Sequence, residues 1–289
     1  MKKIVAISGG ENGRLLEDGT FAKYETGPMD VEIVKLTNKE NPHLLFLAHA
    51  MSFSLEIQES YFYTIKKIYE KLGCSCKILK TTELSDLDKL REMFEWADII
   101  YEGGGDTGSM ISLWKKYRID TLLVDAWNNG KVICGVSAGA VCWFNSCNSD
   151  MGLEDKMFEE VSCLNWINLF LVPHCNEDGR YESSKSQLKE NNLIGLLMSN
   201  CSAIEIIDDK YRIIVSDATS YGFKKGYAYK AYWLKGKYYE EKIKATNEFL
   251  PLNDLLTKNI IIKDWVKLKI TQSYFFTYSL IPYFSALIS

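Results

Sequence analysis

Ser137 stands at the centre of Gly135-Val136-Ser137-Ala138-Gly139, directly after the apolar run 131–134 and before a short stretch that reads as helix over 138–144. Strand, Gly-x-Ser-x-Gly turn and helix together form the pattern of a nucleophile elbow, which holds a serine hydroxyl out from the end of a sheet. A serine attacks at neutral pH only beside a general base, and imidazole, with an ordinary pKa of about 6.5, is the usual one. The chain has three histidines. His43 and His49 bracket the apolar run 44–48 and read as structural residues of a buried strand. His174 differs from both, because it ends the apolar run 169–173 and opens the loop 175–180. Open α/β sheets gather their sites at such strand ends. Ser137 and His174 are therefore the pair expected to carry out acyl transfer through a covalent serine intermediate.

A third group must hold the imidazole in one tautomer and stabilise its cation, and a carboxylate does this best. Two places offer one. Asp208-Asp209 follows the apolar run 203–207, and Asp150 lies in the turn-rich stretch 148–152 after the elbow. Aspartate also favours turns for local reasons, so either could be a turn residue instead. Gly103-Gly104-Gly105 follows the strand-like run 98–101. Three consecutive glycines cost chain entropy, which makes sense where the main chain must approach a substrate carbonyl without Cβ atoms in the way.

With these motifs in place, the chain resembles the aspartyl dipeptidase (dipeptidase E) and cyanophycinase family of serine peptidases. The residues that carry the resemblance are Gly103-Gly104-Gly105-Asp106-Thr107, the elbow around Ser137, Ser149-Asp150-Met151, Val172-Pro173-His174 and Ile207-Asp208-Asp209, over roughly residues 3–258. It implies exopeptidase activity on short peptides, with an N-terminal aspartyl preference in the dipeptidase branch. It implies Ser137 as nucleophile, His174 as base, Asp209 as the acid with Asp150 the second choice, and an oxyanion hole made by the N–H groups of Gly105 and Ala138. The family acid is typically glutamate, so Asp209 departs from the pattern. Asp106 departs as well: the dipeptidase branch more often has asparagine there, and a carboxylate discourages an acidic substrate group. Arg180, six residues after His174, is the side chain best shaped to pair with a substrate carboxylate.

The elements that must position these residues alternate. Strands are expected over 3–8, 43–49, 75–80, 98–102 and 131–136, with helices over 60–72, 84–96 and within 107–128. Such alternation signals an α/β fold with a doubly wound, mostly parallel sheet and helices on both faces. The resemblance adds that this sheet is like that of the class I glutamine amidotransferases. Tyr61, Ile65, Ile68, Tyr69 and Leu72 recur at helical spacing and read as a core-facing stripe. Further on, 185–198 reads as helix, 201–207 and 212–216 as strands, and 228–243 as a hairpin turning at Lys235-Gly236-Lys237.

Composition narrows the class of function. The chain has 289 residues, is 47% hydrophobic and carries a net charge of −4 without a concentrated basic block, so nucleic acid is not an expected partner. The start, Met1-Lys2-Lys3 and then 4–10, is too short for a signal-peptide core and reads as the first buried strand of a cytoplasmic protein. Eight cysteines, mostly in apolar runs, read as reduced core residues. No metal cluster or cofactor motif stands out. Residues 1–258 are expected to form the catalytic α/β domain. Residues 259–289 form an apolar tail, interrupted by Pro282, that reads as a packing or homo-oligomer contact and not as a membrane span. The expected partner is a short peptide substrate. Two competing functions are an α/β-hydrolase esterase, disfavoured because no histidine follows His174, and a non-catalytic binding module with a relict site.

Overall fold

The first strand, Lys3–Ile7, is buried at every position, and its residues alternate between two cores: Ile4 and Ala6 face one, Val5 and Ile7 the other. A strand covered on both faces belongs at the centre of a layered α/β molecule. In the computed structural model, which describes residues 1–16, 18–51, 54–150 and 158–258, it does.

The elements run β1 (Lys3–Ile7), α1 (Gly27–Lys35), β2 (His43–Leu47), α2 (Leu55–Lys71), β3 (Ser75–Leu79), α3 (Leu87–Trp96), β4 (Ile99–Glu102), α4 (Thr107–Tyr117), α5 (Ile119–Asn128), β5 (Val132–Val136) and α6 (Ala138–Val141). There follow β6 (Phe144–Ser149), β7 (Glu159–Ser162), β8 (Ile167–Val172), α7 (Arg180–Asn191), β9 (Ile194–Met198), β10 (Ser202–Ile207), β11 (Lys210–Val215), β12 (Ala228–Leu234), β13 (Lys237–Ile243), β14 (Leu250–Pro251) and α8 (Leu252–Leu256). The larger sheet has the order β14-β11-β10-β1-β5-β4-β2-β3. Its members β1, β5, β4, β2 and β3 are parallel, and β10, β11 and β14 are added antiparallel beyond β1.

The α/β class and the helices on both faces match the sequence expectation. Met29 and Ile33 of α1 and Ile65 and Tyr69 of α2 pack on one face, and Leu90 of α3, Trp114 of α4 and Leu123 of α5 on the other. The second sheet was not separated by periodicity. It runs β13-β12-β9-β8-β6-β7 and shares a core with the first, joining Leu171 and Leu196 to Ile100 and Ile133. Two expected elements change. The helix read over 185–198 ends at Asn191, and Ile194–Met198 is a strand, because its apolar residues are buried between β8 and β12. The helix after the elbow stops at Val141, and the stretch expected to be loop before Asp150 is the strand Phe144–Ser149. The apolar tail 259–289 lies outside the described residues. Among the described residues no helix is long and apolar enough to cross a membrane.

Candidate active site

β5 ends at Val136 against Ile7 of β1, and the Ser137 N–H donates to the Ile7 carbonyl at 3.0 Å. The chain must then reverse into α6. Ser137 takes φ 55° and ψ −113° to do so, a conformation costly for an L-residue and found where surrounding structure enforces it. This strain sets the hydroxyl outward at the end of the parallel strands.

His174 arrives from the second sheet, two residues after β8 ends at Val172. It too has positive φ, 49°. Its backbone N–H donates to Ser8 Oγ at 2.9 Å, and Ser8 Oγ in turn donates to the Met198 carbonyl at 2.8 Å, so the residue after β1 tethers the loop. The ring closes on the nucleophile, with 2.9 Å between His174 Nε2 and Ser137 Oγ.

The third partner is not an aspartate. His174 Nδ1 lies 2.7 Å from Oδ1 of Asn200, which sits between β9 and β10. Asn176 Oδ1 accepts from the Asn200 backbone N–H at 2.8 Å and from its Nδ2 at 3.3 Å, which assigns the amide oxygen to the histidine side. Nδ1 therefore carries the proton, and Nε2 offers its lone pair to the serine hydroxyl. Asn200 gives and takes at once, which a carboxylate could not do beside the Asn176 oxygen. An amide orients the ring but brings no charge. Among the described residues, the carboxylate closest to Nδ1 is that of Glu177, whose Oε1 lies 3.9 Å away.

Burial is the main influence on His174 and lowers its pKa below the ordinary 6.5; Glu177 and the Asn200 hydrogen bond oppose it, Arg180 adds to the lowering, and Asp150 acts weakly upward. The imidazole is thus neutral and able to accept a proton at neutral pH. Gly9 completes the arrangement. A Cβ there would fall 2.2 Å from His174 Cε1 and 2.4 Å from Asn200 Oδ1, so only glycine lets the main chain lie over this pair.

The other residues expected in the site separate into two groups. Gly105 has φ 142°, and a Cβ on it would meet the Ala50 carbonyl oxygen at 1.9 Å, so the sharp turn there needs glycine. Ala138 begins α6 directly after the nucleophile. Gly104, next to Gly105, approaches the nucleophile, since a Cβ on it would lie 3.3 Å from Ser137 Cβ. Asp106 caps α4, accepting from Ser109 N at 3.1 Å and from its hydroxyl at 2.6 Å.

Asp209, Asp150 and Arg180 are not where the sequence reading put them. Asp209 turns between β10 and β11 at the opposite end of the sheet, where the neighbouring Asp208 side chain accepts from Lys2 N at 2.7 Å. β10 runs antiparallel to β1, so following it forward leads away from the elbow. Asp150 accepts from Arg180 Nη2 at 2.9 Å, while both His174 ring nitrogens are taken by Ser137 and Asn200. Arg180 is buried, not offered to a substrate. Its guanidinium is held by Glu177 at 3.2 Å, Asp150, and the Asn148 carbonyl and side chain, and it stacks on Phe158 at 4.5 Å.

His49 bears out its structural reading: Nε2 bonds the Leu79 carbonyl and Nδ1 accepts from Trp114 Nε1 at 2.8 Å. Burial pushes its pKa down to about 4. Asn200, Glu177 and Gly9 were missed. The signal available for Gly9 was the pair Gly9-Gly10 at a strand end. For Asn200 there was none, because it fell in the gap between the helix read over 185–198 and the strand read over 201–207. Among the described residues no group of three or more His, Cys, Asp or Glu is placed to hold a metal ion.

Residues 15–214 match the profile of peptidase family S51. An uncharacterized peptidase of Bacillus subtilis, YgaJ, is 28% identical over 214 residues, which cover 73% of this chain and 85% of that protein. Two solved structures share the fold. A peptidase from an acI-B1 Actinobacterium superposes with a TM-score of 0.61 at 17% identity, covering 87% of this chain and 97% of its own. A putative peptidase E protein from Listeria monocytogenes gives 0.55 at 20% identity, covering 74% and 98%.

Proposed function

The chain belongs to peptidase family S51, a family of serine-type peptidases, and we propose that it is an exopeptidase that hydrolyses short peptides through an acyl-enzyme on Ser137. The observation that carries this reading is the 2.9 Å contact between His174 Nε2 and Ser137 Oγ, with the histidine tautomer set from behind by Asn200.

In this mechanism His174 Nε2 takes the Ser137 proton as Oγ bonds to the peptide carbonyl carbon. The N–H groups of Gly105 and Ala138 hold the developing oxyanion, at about 3 kcal/mol per donor. The imidazolium then gives its proton to the leaving amine. Water, deprotonated by the same ring, attacks the ester carbon and frees the acid. Asn200 keeps the ring in place throughout, and Glu177 supplies the negative charge that favours the imidazolium.

An N-terminal aspartyl preference is the finer expectation and needs a cation for the substrate carboxylate. Arg180 does not support it, since Glu177 and Asp150 already neutralise that guanidinium. The reading is therefore a short-peptide exopeptidase without strict aspartyl selectivity.

Purified protein assayed on Asp-X, Glu-X, β-aspartyl and neutral dipeptides should show turnover that Ser137→Ala abolishes. A fluorophosphonate probe should label the wild type and not the variant. Undiminished hydrolysis by Ser137→Ala would reject the assignment, and a wild type that neither hydrolyses peptides nor takes the probe would mark a relict site.

A further inference from the structure

Tyr61 belongs to the apolar stripe of α2 and reads in the sequence as core alone. Its ring does pack edge-on against Phe46, with centroids 5.1 Å apart. Its hydroxyl, however, reaches the glycine loop and accepts from the Gly104 N–H at 3.3 Å. The loop is shaped to admit it. A Cβ on Gly103 would fall 2.6 Å from Tyr61 Cε1, so the first of the three glycines makes room for this ring.

The consequence follows from counting donors along the loop. The peptide unit joining Gly103 to Gly104 is fixed at both ends: the Gly103 carbonyl accepts from Gly139 N in α6 at 3.0 Å, and the Gly104 N–H is claimed by Tyr61 Oη. Beyond it, the Asp106 N–H donates to the Ala50 carbonyl at 2.7 Å. Between these two anchored N–H groups lies that of Gly105, the one assigned to the oxyanion. We propose that Tyr61 is a positioning residue of the oxyanion loop, whose hydroxyl fixes the Gly103–Gly104 peptide and thereby limits the rotation of the next peptide, whose Gly105 N–H points at the carbonyl attacked by Ser137.

Without the hydroxyl, the Gly104 N–H has lost its acceptor, and the adjoining peptide can rotate to find another. A donor displaced by a fraction of an ångström serves the ground state almost as well and the oxyanion less well, so the loss belongs in kcat and not in KM. Tyr61 remains a phenol throughout the working pH range, because burial pushes its pKa up to about 12.

This inference rests on the serine-peptidase reading, and its test separates the two. Tyr61→Phe removes one oxygen and keeps the ring against Phe46 and Gly103; Tyr61→Leu removes the ring as well. With active sites titrated by the fluorophosphonate, Tyr61→Phe should lower kcat per site about tenfold and slow phosphonylation by a similar factor, with KM and melting temperature nearly unchanged. Tyr61→Leu should lose the same factor in kcat and, unlike Tyr61→Phe, lower the melting temperature. A kcat per titrated site equal to wild type in Tyr61→Phe would overturn the positioning role and leave Tyr61 as packing. A fall in KM-dependent binding alone would overturn it equally. A wild type that takes no probe and cleaves no peptide would reject the oxyanion loop itself, and the role of Tyr61 with it.

Discussion

The two ends of the larger sheet carry similar sequence signals and do unlike things. At one end, the residues after β1 and β5 are Ser8-Gly9-Gly10 and Ser137, and the residues before β10 are Ser199-Asn200-Cys201. At the other, Asp208-Asp209 follows β10, with Lys3 paired to Ile207. Along β1, from Lys3 to Ile7, the ends are separated by four steps of roughly 3.3 Å. An apolar run ending in a polar residue looks alike in both places. What differs is strand direction: in parallel strands the residue after the run reaches the elbow, whereas in antiparallel β10 the residue before it does. Positive φ does not separate the ends, since Asp208 has φ 51° much as His174 has 49°; the end with the elbow is set apart by Ser137 at φ 55° and ψ −113° and by polar groups bonded across two sheets. The end with Asp208 and Asp209 is a two-residue hairpin tied to Lys2 and Leu252 by main-chain bonds.

The sharpest way to break this comparison is to fill the space that only the catalytic end keeps empty. Gly9→Ala places a methyl inside the contact distance of the His174 ring and the Asn200 oxygen. The ring is the part able to move, so the variant should fold and lose about a thousandfold or more in kcat/KM, as loss of a triad member does. Dipeptide turnover alongside a melting curve checks this. Retained activity with an unchanged melting point would mean that the pair is looser than its geometry.

Removing Asn200 asks how much orientation alone is worth. Asn200→Ala frees the ring to take either tautomer and should cost roughly a hundredfold in kcat, less than the ~10⁴ seen when a charged partner is made neutral in a serine triad. Asn200→Asp should fail to restore it, because the new carboxylate would face the Asn176 oxygen that now accepts from the amide. Steady-state kinetics on the two variants would decide, and full activity in Asn200→Asp would show that the third position tolerates charge after all.

A smaller effect is read from pH. Because the base must be neutral to act and burial sets its pKa below 6.5, kcat/KM should rise with pH through a midpoint below 6.5 and be level at neutrality. Glu177 favours the charged ring, so Glu177→Gln should move that midpoint lower still, a small effect because the Glu177 side chain is 40% exposed. A midpoint that stays in place or moves upward in Glu177→Gln would show that the carboxylate does not favour the charged imidazole.

Much of the catalytic end was legible, and the reason is local. Ser137 and the glycine loop lie within single strand-turn-helix units, where short-range chemistry dictates the turn. His174 could be sorted from His43 and His49 because the polar loop 175–180 follows it, although His49 also lies two residues past the end of its strand. The antiparallel additions were not legible. Whether β10 runs with or against β1 depends on the path through the second sheet, and no periodicity within 203–207 reports it. Asn200 was hidden for the same reason: Ile194–Met198 is continuously apolar, and such a run cannot be told from a buried helix by pattern alone. Arg180 was read as the end of the loop 175–180 but begins α7, and its carboxylate partners come from Glu177 in its own loop and from Asp150 beyond β6, a pairing set by packing between the two.

The comparison predicts its smallest effect at the other end. Asp209 was the leading candidate for the triad acid, so Asp209→Asn would be severe if sequence order ruled and mild if strand direction does. Its backbone carbonyl accepts from Leu252 N at 2.7 Å, a bond that asparagine keeps, and the bond to the Lys2 N–H comes from the Asp208 side chain. Asparagine also suits a tight hairpin as well as aspartate does. Asp209→Asn should therefore leave kcat/KM unchanged and alter stability by no more than about 0.5 kcal/mol, the range for surface substitutions away from special features. A hundredfold fall in kcat at unchanged stability would place this carboxylate back in the mechanism, and would require the hairpin to reach past the length of β1 to a ring whose nitrogens are already both engaged.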